Sequence, residues 1–137
     1  MSTLTLPIVS AITAGVILLL LMVLMINVGR HRGRSKTLLG EGSDPALLRA
    51  IRVHANLAEN AAAFLVGFAL LEMLGGHPLL VASLCGVFVA ARLAHAIGLS
   101  RTEAPNAGRF LGALGTLLVG LITAAALIWT GAGLLMN

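Results

Sequence analysis

Charged residues are scarce in this chain and absent from long stretches of it. Only 10% of its 137 residues are charged and 58% are hydrophobic, whereas a soluble domain carries about a quarter charged residues. No Asp, Glu, Lys or Arg occurs in residues 1–29, 73–91 and 110–137. A spanning helix needs about 20 mostly apolar residues, and four such stretches fit. We therefore expect an all-α integral membrane four-helix bundle, one transmembrane domain over residues 1–137, with no separate soluble domain.

The chain contains one cysteine and no tyrosine. The single cysteine, Cys85, excludes an internal disulfide and a cysteine-based metal site. Its apolar neighbours favour a packed, inert thiol over a catalytic one. No pair of histidines has metal-ligand spacing beside an acid, so we predict no metal. No phosphate-binding loop, Ser-His-Asp arrangement or haem motif is visible.

Four prolines mark the starts of the apolar stretches: Pro7, Pro45, Pro78 and Pro105. Proline is favoured at the first position of a helix, and Asp44 before Pro45 is the predicted N-cap. We predict helices at about 7–29, 45–74, 78–99 and 106–134, with boundaries good to about two to four residues. The first is predicted to be a retained helix, because its apolar run is too long for a signal peptide and the basic cluster follows it.

All nine Lys and Arg residues fall on one side of such a bundle, in loops one and three or the adjoining helix ends. They are residues 30, 32, 34, 36, 49, 52, 92, 101 and 109. The positive-inside rule then makes loops one and three cytoplasmic and places both termini on the far side. We interpret the net charge of +4 as a sign of topology, with no nucleic-acid partner implied.

A polar stripe interrupts the second predicted helix. At about 100° per residue, Asn56 lies about 40° from Arg52, and Glu59 lies about 20° on the other side. Glu59 is also about 10 Å deeper than Arg52 along the helix axis. A carboxylate that faced lipid there would cost several kcal/mol, so we expect Glu59 to face protein and to have a partner. Arg92 on helix three is the natural candidate for that partner.

Two interpretations of this stripe are equally supported by the residues alone. One is a structural ion pair that joins helices two and three. The other is a polar pocket near the cytoplasmic interface for an anionic ligand. The second is supported by the number of polar groups, which exceeds what one ion pair needs: Arg49, Arg52, Asn56, Glu59, Arg92 and His95.

Helix four carries small residues at intervals of four, which favours close helix packing: Gly108, Gly112, Thr116, Gly120 and Ala124.

The segment from Arg52 to Phe64 resembles the signature of the MAPEG family, the membrane-associated proteins in eicosanoid and glutathione metabolism. The pattern Arg-x-x-x-Asn-x-x-Glu, with an aromatic residue a few positions later, opens the second helix there as it does here. Three further segments resemble the bacterial branch: Leu38–Gly42, Leu70–Gly76 and Arg92–Leu99. The specific part of the likeness is residues 38–99, and length and helix count agree over the whole chain.

The resemblance implies a homotrimer of four-helix subunits. The bacterial branch suggests a bacterial inner membrane, in which the charge asymmetry makes both termini periplasmic. The resemblance also implies that glutathione binds between neighbouring subunits near the cytoplasmic side. Carried over, Arg52, Asn56 and Glu59 would hold the tripeptide, with Glu59 on its amine. The adjacent subunit would contribute Arg30 or Arg32, and helix three would contribute Arg92 and His95. The implied reaction is that of a glutathione transferase or peroxidase, in which the thiolate attacks a small lipophilic electrophile.

A thiol with a pKa of about 8.5 needs a nearby cation or donor to ionise at neutral pH. In family members this is an Arg or a hydroxyl near the start of helix four, which makes Arg109 the catalytic candidate and Ser100 a weaker one. The chain departs from the family where Asn60, His95 and Leu99 stand at positions that are often Tyr, which excludes tyrosine-assisted activation.

Two other functions remain open from the sequence. One is a non-catalytic membrane protein of the same fold that binds another lipophilic or anionic ligand, or a protein partner. The other, with less support, is a small transporter or channel, since the polar residues gather at one side and do not cross the span.

Overall fold

The computed structural model describes residues 5–102 and 104–136, and the described chain is all-helical. Its helices are α1 (Ile8–Ser35), α2 (Pro45–Met73), α3 (Pro78–Arg101) and α4 (Ala107–Leu135). Each of the four is long and apolar enough to cross a membrane. The predicted all-α membrane architecture is confirmed.

Side-chain caps fix where α2 and α4 begin. The carboxylate of Asp44 accepts a hydrogen bond from the Ala46 N–H at 2.9 Å, and Pro45 is the first helical residue, as predicted. The amide oxygen of Asn106 accepts from the Arg109 N–H at 3.1 Å. These caps set the register of both helices, and hence the depth of every polar side chain that follows.

Helix α1 continues to Ser35, beyond its predicted end at residue 29. The basic residues that follow residue 29 are therefore helical, because arginine is a good helix former and no proline intervenes. Lys36 ends the helix in the left-handed conformation, with φ 52°, and its N–H bonds the Arg32 carbonyl. Cations in the last turn of a helix also interact favourably with its dipole.

Helices α2 and α3 occupy the centre of the bundle. Both contact α1 and α4, whereas α1 and α4 make no contact with each other in the described residues. The core between them is aromatic: the rings of Phe64 and Phe88 stack with centroids 4.5 Å apart, and Phe68 packs edge-on against both. The thiol of Cys85 is buried beside this core, with 2% of the residue exposed.

Glycine allows α3 and α4 to approach most closely. A Cβ added to Gly112 would lie 2.6 Å from both the Ala91 carbonyl oxygen and the His95 Cβ. One added to Gly108 would lie 2.9 Å from the Ala94 carbonyl oxygen. The small residues of α4 therefore bring its backbone within reach of side chains from α3.

The connection 36–44 lies at the same end of the bundle as the end of α3 and the start of α4, here named the basic end because Lys and Arg gather there. At the opposite end, Glu72 caps the start of α1. Its carboxylate accepts from the Val9 N–H at 3.0 Å, the Ser10 N–H at 2.8 Å and the Ser10 hydroxyl at 2.6 Å. This carboxylate therefore fastens the first helix to the second.

Candidate functional site

A groove of about 420 Å³ lies where α2, α3 and α4 meet. Polar side chains line its half nearer the basic end: Asn56, Asn60, Arg92 and His95. Apolar residues and Thr116 line the remainder: Phe64, Ala113, Leu117, Gly120 and Leu121. Small-molecule sites in proteins are typically about 300–1,000 Å³, so this groove can hold a ligand.

Arg92 is the buried cation of the groove, with only 4% of the residue exposed. Its guanidinium donates to the Asn56 side-chain oxygen at 2.9 Å and to the Gly112 carbonyl at 3.1 Å. Its Nε is buried and has no partner in the described chain. Burying a charge without a counter-ion costs several kcal/mol, so the guanidinium favours a negative group beside it.

The prediction that Arg92 pairs with Glu59 is wrong within the described subunit. The guanidinium of Arg92 lies between α2 and the α4 backbone, where it meets Asn56 and Gly112. Three residues of helix turn through about 300°, which moves Glu59 about 60° around α2 from Asn56. The carboxylate therefore lies off the face of α2 that packs on α3.

Glu59 stands at the middle of α2 and is exposed. Among the described residues its carboxylate has neither a hydrogen bond nor an ion pair. An ionised group exposed to lipid halfway along a spanning helix costs about 2.5 kcal/mol or more. The isolated subunit thus leaves one costly charge uncovered.

The side chain of His95 lines the groove. Its Nδ1 lies 3.2 Å from the Arg109 carbonyl oxygen. Because a carbonyl oxygen only accepts, this contact places the proton on Nδ1 and leaves Nε2 as the acceptor in the neutral imidazole. The groove is therefore lined by an imidazole and a buried guanidinium from the same helix.

The other predicted cations lie toward loop one. Arg52 is exposed and forms an ion pair with Glu41 at 3.4 Å. Arg32 donates to loop-one carbonyls, at 3.3 Å to Thr37, 3.3 Å to Leu38 and 3.0 Å to Gly40. Arg30 is exposed on α1. The structure does not bring these three side chains into the groove of their own subunit.

The two candidates for thiol activation also lie outside the described groove lining. The Arg109 guanidinium donates to the Ala104 carbonyl at 3.5 Å, toward the connection between α3 and α4. The Ser100 hydroxyl donates to the Ala96 carbonyl at 2.7 Å and borders a separate cleft of about 90 Å³. Within the subunit, Arg92 and His95 are the titratable groups that the groove contains.

Asn60, Phe64 and Thr116 line the groove but were not assigned to a site from the sequence. Asn60 follows Asn56 by one helical turn, and its amide donates to the Asn56 carbonyl at 2.8 Å. The same spacing of four residues repeats at Phe64, which is the signal that could have found these two. Among the described residues, no cluster of His, Cys, Asp or Glu could hold a metal ion.

The sequence profile of the MAPEG family matches residues 10–129 of the chain. This chain belongs to the MAPEG family. MAPEG proteins are membrane bundles that generally use glutathione and are generally oligomeric. The family includes glutathione transferases, glutathione peroxidases and non-catalytic members. No curated protein sequence matches this one significantly.

In this MAPEG protein the residues of the sequence signature do not converge within one subunit. Asn56 faces the groove, whereas Arg52 and Glu59 are exposed. A site that used all three would need a further surface to cover the last two.

Proposed function

We propose that this MAPEG protein is a membrane-bound glutathione transferase or peroxidase acting on small lipophilic electrophiles. The observation that carries the proposal is Arg92, a buried guanidinium that lines a ligand-sized groove with its Nε unpartnered and no carboxylate bound in the described chain. Glutathione supplies the missing negative charge, since it carries two carboxylates and, when ionised, a thiolate.

The exposed charges of α2 support a homotrimer with glutathione between neighbouring subunits. Glu59 is uncovered at mid-helix, and a neighbouring subunit would remove it from lipid. Its carboxylate would then meet the glutamyl amine of glutathione. Arg52, with Arg30 or Arg32 of the adjacent subunit, would meet the tripeptide carboxylates.

The groove supplies both elements that a thiol needs for reaction. The Nε2 of His95 accepts the thiol proton, and the guanidinium of Arg92 stabilises the thiolate. We assign this role to these two residues because Arg109 points toward the connection between α3 and α4. When the thiolate adds to an unsaturated aldehyde, its sulfur bonds to the β-carbon and the proton returns to the α-carbon. In peroxide reduction, two glutathione molecules yield one disulfide, the alcohol and water.

The orientation follows from charge. The basic end faces the cytoplasm of a bacterial inner membrane, and both termini face the periplasm. Glutathione then enters from the cytoplasm through the polar half of the groove. The electrophile enters sideways from the bilayer through the apolar half.

Calorimetry on the purified protein in detergent tests the proposal, once size measurement has established a folded trimer. Glutathione should bind to the wild type, and conjugation to chlorodinitrobenzene should follow. Arg92→Gln should lose both properties. Arg101→Gln, which changes an exposed arginine of the same helix, should retain both. Absence of heat at millimolar glutathione from a folded trimer would overturn the assignment.

A non-catalytic function is the second candidate, favoured by the complete lack of tyrosine. Under that alternative the groove holds an anionic or lipophilic ligand without reaction. Glutathione binding without conjugation of any electrophile would select it.

A further inference from the structure

A small polar cleft of about 90 Å³ lies at the basic end, between the end of α1, the start of α2 and the end of α3. It is here named the interface cleft. None of its lining residues lines the groove that contains Arg92, so the cleft is a separate space with its own chemistry. Its walls are formed by Asn27, His31, Ala46, Arg49, Ala50 and Ser100.

Asn27 and His31 form the α1 wall of the interface cleft. They are four residues apart, so both side chains lie on one face of the helix. Both residues are half-buried. Neither the Asn27 amide nor the His31 ring has a hydrogen-bond partner among the described residues. Both groups are therefore available to a ligand in the cleft.

Hydrogen-bond donors and positive charge dominate the remaining walls. The guanidinium of Arg49 carries five N–H donors, the Asn27 amide carries two, and a neutral His31 ring carries one. The Ser100 hydroxyl donates to the Ala96 carbonyl at 2.7 Å, which leaves it as an acceptor. A site of this kind favours an anion with several acceptor oxygens. The volume suits a few water molecules or one phosphate group.

The depth of the cleft in the membrane indicates where such a phosphate comes from. At the opposite end, the Glu72 carboxylate bonds the N–H groups of Val9 and Ser10, so α1 begins in the polar layer there. Asn27 lies about 27 Å and His31 about 33 Å along α1 from Val9, at 1.5 Å per residue. Because the hydrocarbon core is about 30 Å thick, the cleft lies at its boundary with the headgroups of the basic side.

We propose that the interface cleft binds the headgroup phosphate of an anionic phospholipid through Asn27, His31 and Arg49. Basic pockets between transmembrane helices at a membrane surface are suited to such headgroups. The inference does not depend on glutathione chemistry, because the two sites share no residue. A bound lipid would fasten the end of α1 to α2 and α3, as Glu72 fastens its start to α2.

Native mass spectrometry of the delipidated protein in detergent tests the proposal, by titration with phosphatidylglycerol or phosphatidylcholine of identical chains. The wild type should bind the first phosphatidylglycerol more than about tenfold more tightly than phosphatidylcholine. Asn27→Asp places a carboxylate in the cleft with little change of shape, and it should abolish that preference.

Gly33→Asp is the matched control for charge. It adds the same carboxylate to the exposed face of the same helix end, where a Cβ meets nothing within 4 Å. The preference for phosphatidylglycerol should therefore stay within about twofold of wild type, since the lost charge-assisted contacts lie only in the cleft. Equal loss of preference in Asn27→Asp and Gly33→Asp would assign the effect to overall surface charge and overturn the cleft.

Asn27→Leu guards against a folding defect, because it removes the amide without adding charge. Phosphatidylglycerol should bind this variant about tenfold more weakly, through loss of a charge-assisted hydrogen bond. Its Tm without lipid should stay within about 2 °C of wild type, since no described partner is lost. A lowered Tm with unchanged lipid affinity would give Asn27 a structural role and overturn the proposal.

Soluble phosphates distinguish a lipid headgroup from a free ion. Millimolar inorganic phosphate or glycerol phosphate should leave the bound phosphatidylglycerol in place, because neither is held at the cleft by chains in the apolar layer. Displacement of the lipid by either compound at that concentration would make free phosphate the ligand and overturn the lipid assignment.

Discussion

Two glutamates of α2 have opposite roles in the subunit. The carboxylate of Glu72 accepts three hydrogen bonds from the first turn of α1. That of Glu59 has no partner among the described residues, although it stands at the middle of the helix. Charge at residue 72 therefore stabilises the fold, whereas charge at residue 59 is available to a ligand or a neighbouring subunit.

Neutralising Glu59 should weaken ligand binding more than folding. We expect Glu59→Gln to raise the Kd for glutathione about ten- to hundredfold, because a charge-assisted contact to the amine is lost. Its Tm should change by no more than about 2 °C, since no described contact inside the subunit is removed. Calorimetry and thermal unfolding in detergent measure the two effects.

Glu72→Gln is the reciprocal control, and it should lower the Tm while glutathione binds as before. Collapse of stability in Glu59→Gln with unchanged affinity would favour the structural ion-pair interpretation of the stripe.

The tautomer of His95 leads to a separate prediction about thiol ionisation. His95→Asn keeps a side-chain N–H to donate to the Arg109 carbonyl but removes the basic nitrogen from the groove. We expect kcat for conjugation to fall about 100-fold, while glutathione binding is nearly unchanged. The ultraviolet absorbance of bound thiolate at neutral pH should decrease in parallel. An undiminished thiolate signal would remove His95 from the chemistry.

The α3–α4 contact links packing to the site at the level of whole helices. Gly112 provides the carbonyl that Arg92 bonds and the empty space that His95 occupies. A change in the separation of these helices therefore moves both groove residues together. The rigidity of this pair is part of the geometry of the groove.

Adding a methyl group at this contact should cost both stability and activity. Gly112→Ala forces a Cβ to within 2.6 Å of the Ala91 carbonyl, and overpacking of this kind costs about 1–3 kcal/mol. Gly131→Ala in the same helix meets open space and should gain up to about 1 kcal/mol from helix propensity. Tm and glutathione affinity of the two variants provide the comparison; equal behaviour would exclude the proposed tight contact.

The helices could be predicted from the sequence because local signals determine them. Asp44 and Pro45 define the start of α2 without reference to any other helix. The end of α1 could not be located in this way, because a segment of alternating basic and small residues is compatible with both a helix and a polar loop. In the structure the Arg32 side chain also donates to the Thr37 and Gly40 carbonyls of loop one, a contact that the local sequence pattern does not specify.

The residues of the candidate site could be predicted in part from the sequence, but the contacts between them could not. The spacing of Asn56, Arg92 and His95 indicates a polar region near one end of the bundle, and the structure brings these three to one groove. The partner of Arg92 depends on how closely α4 approaches, which the glycines of α4 permit but periodicity does not specify. The acid that periodicity offered, Glu59, instead faces outward.

At the scale of the whole molecule, the charge asymmetry gives a direct test of orientation. Because Cys85 is buried, we expect the wild type not to react with impermeant maleimides, so that single cysteines can be introduced without background. We expect His77→Cys to be labelled in intact bacterial cells whose outer membrane is permeabilised. Leu39→Cys should react only after the inner membrane is disrupted. The opposite pattern would invert the proposed topology.

A transferase or peroxidase of the proposed kind is exposed to the thiol-reactive compounds on which it acts. Electrophiles concentrate in the bilayer, where an accessible sulfur on the protein would be alkylated in competition with glutathione. The only cysteine of this chain is packed beside the aromatic core with 2% exposure. The chain has no second thiol with which Cys85 could form an internal disulfide. The subunit should therefore survive repeated turnover in oxidising or alkylating conditions that inactivate proteins with surface cysteines.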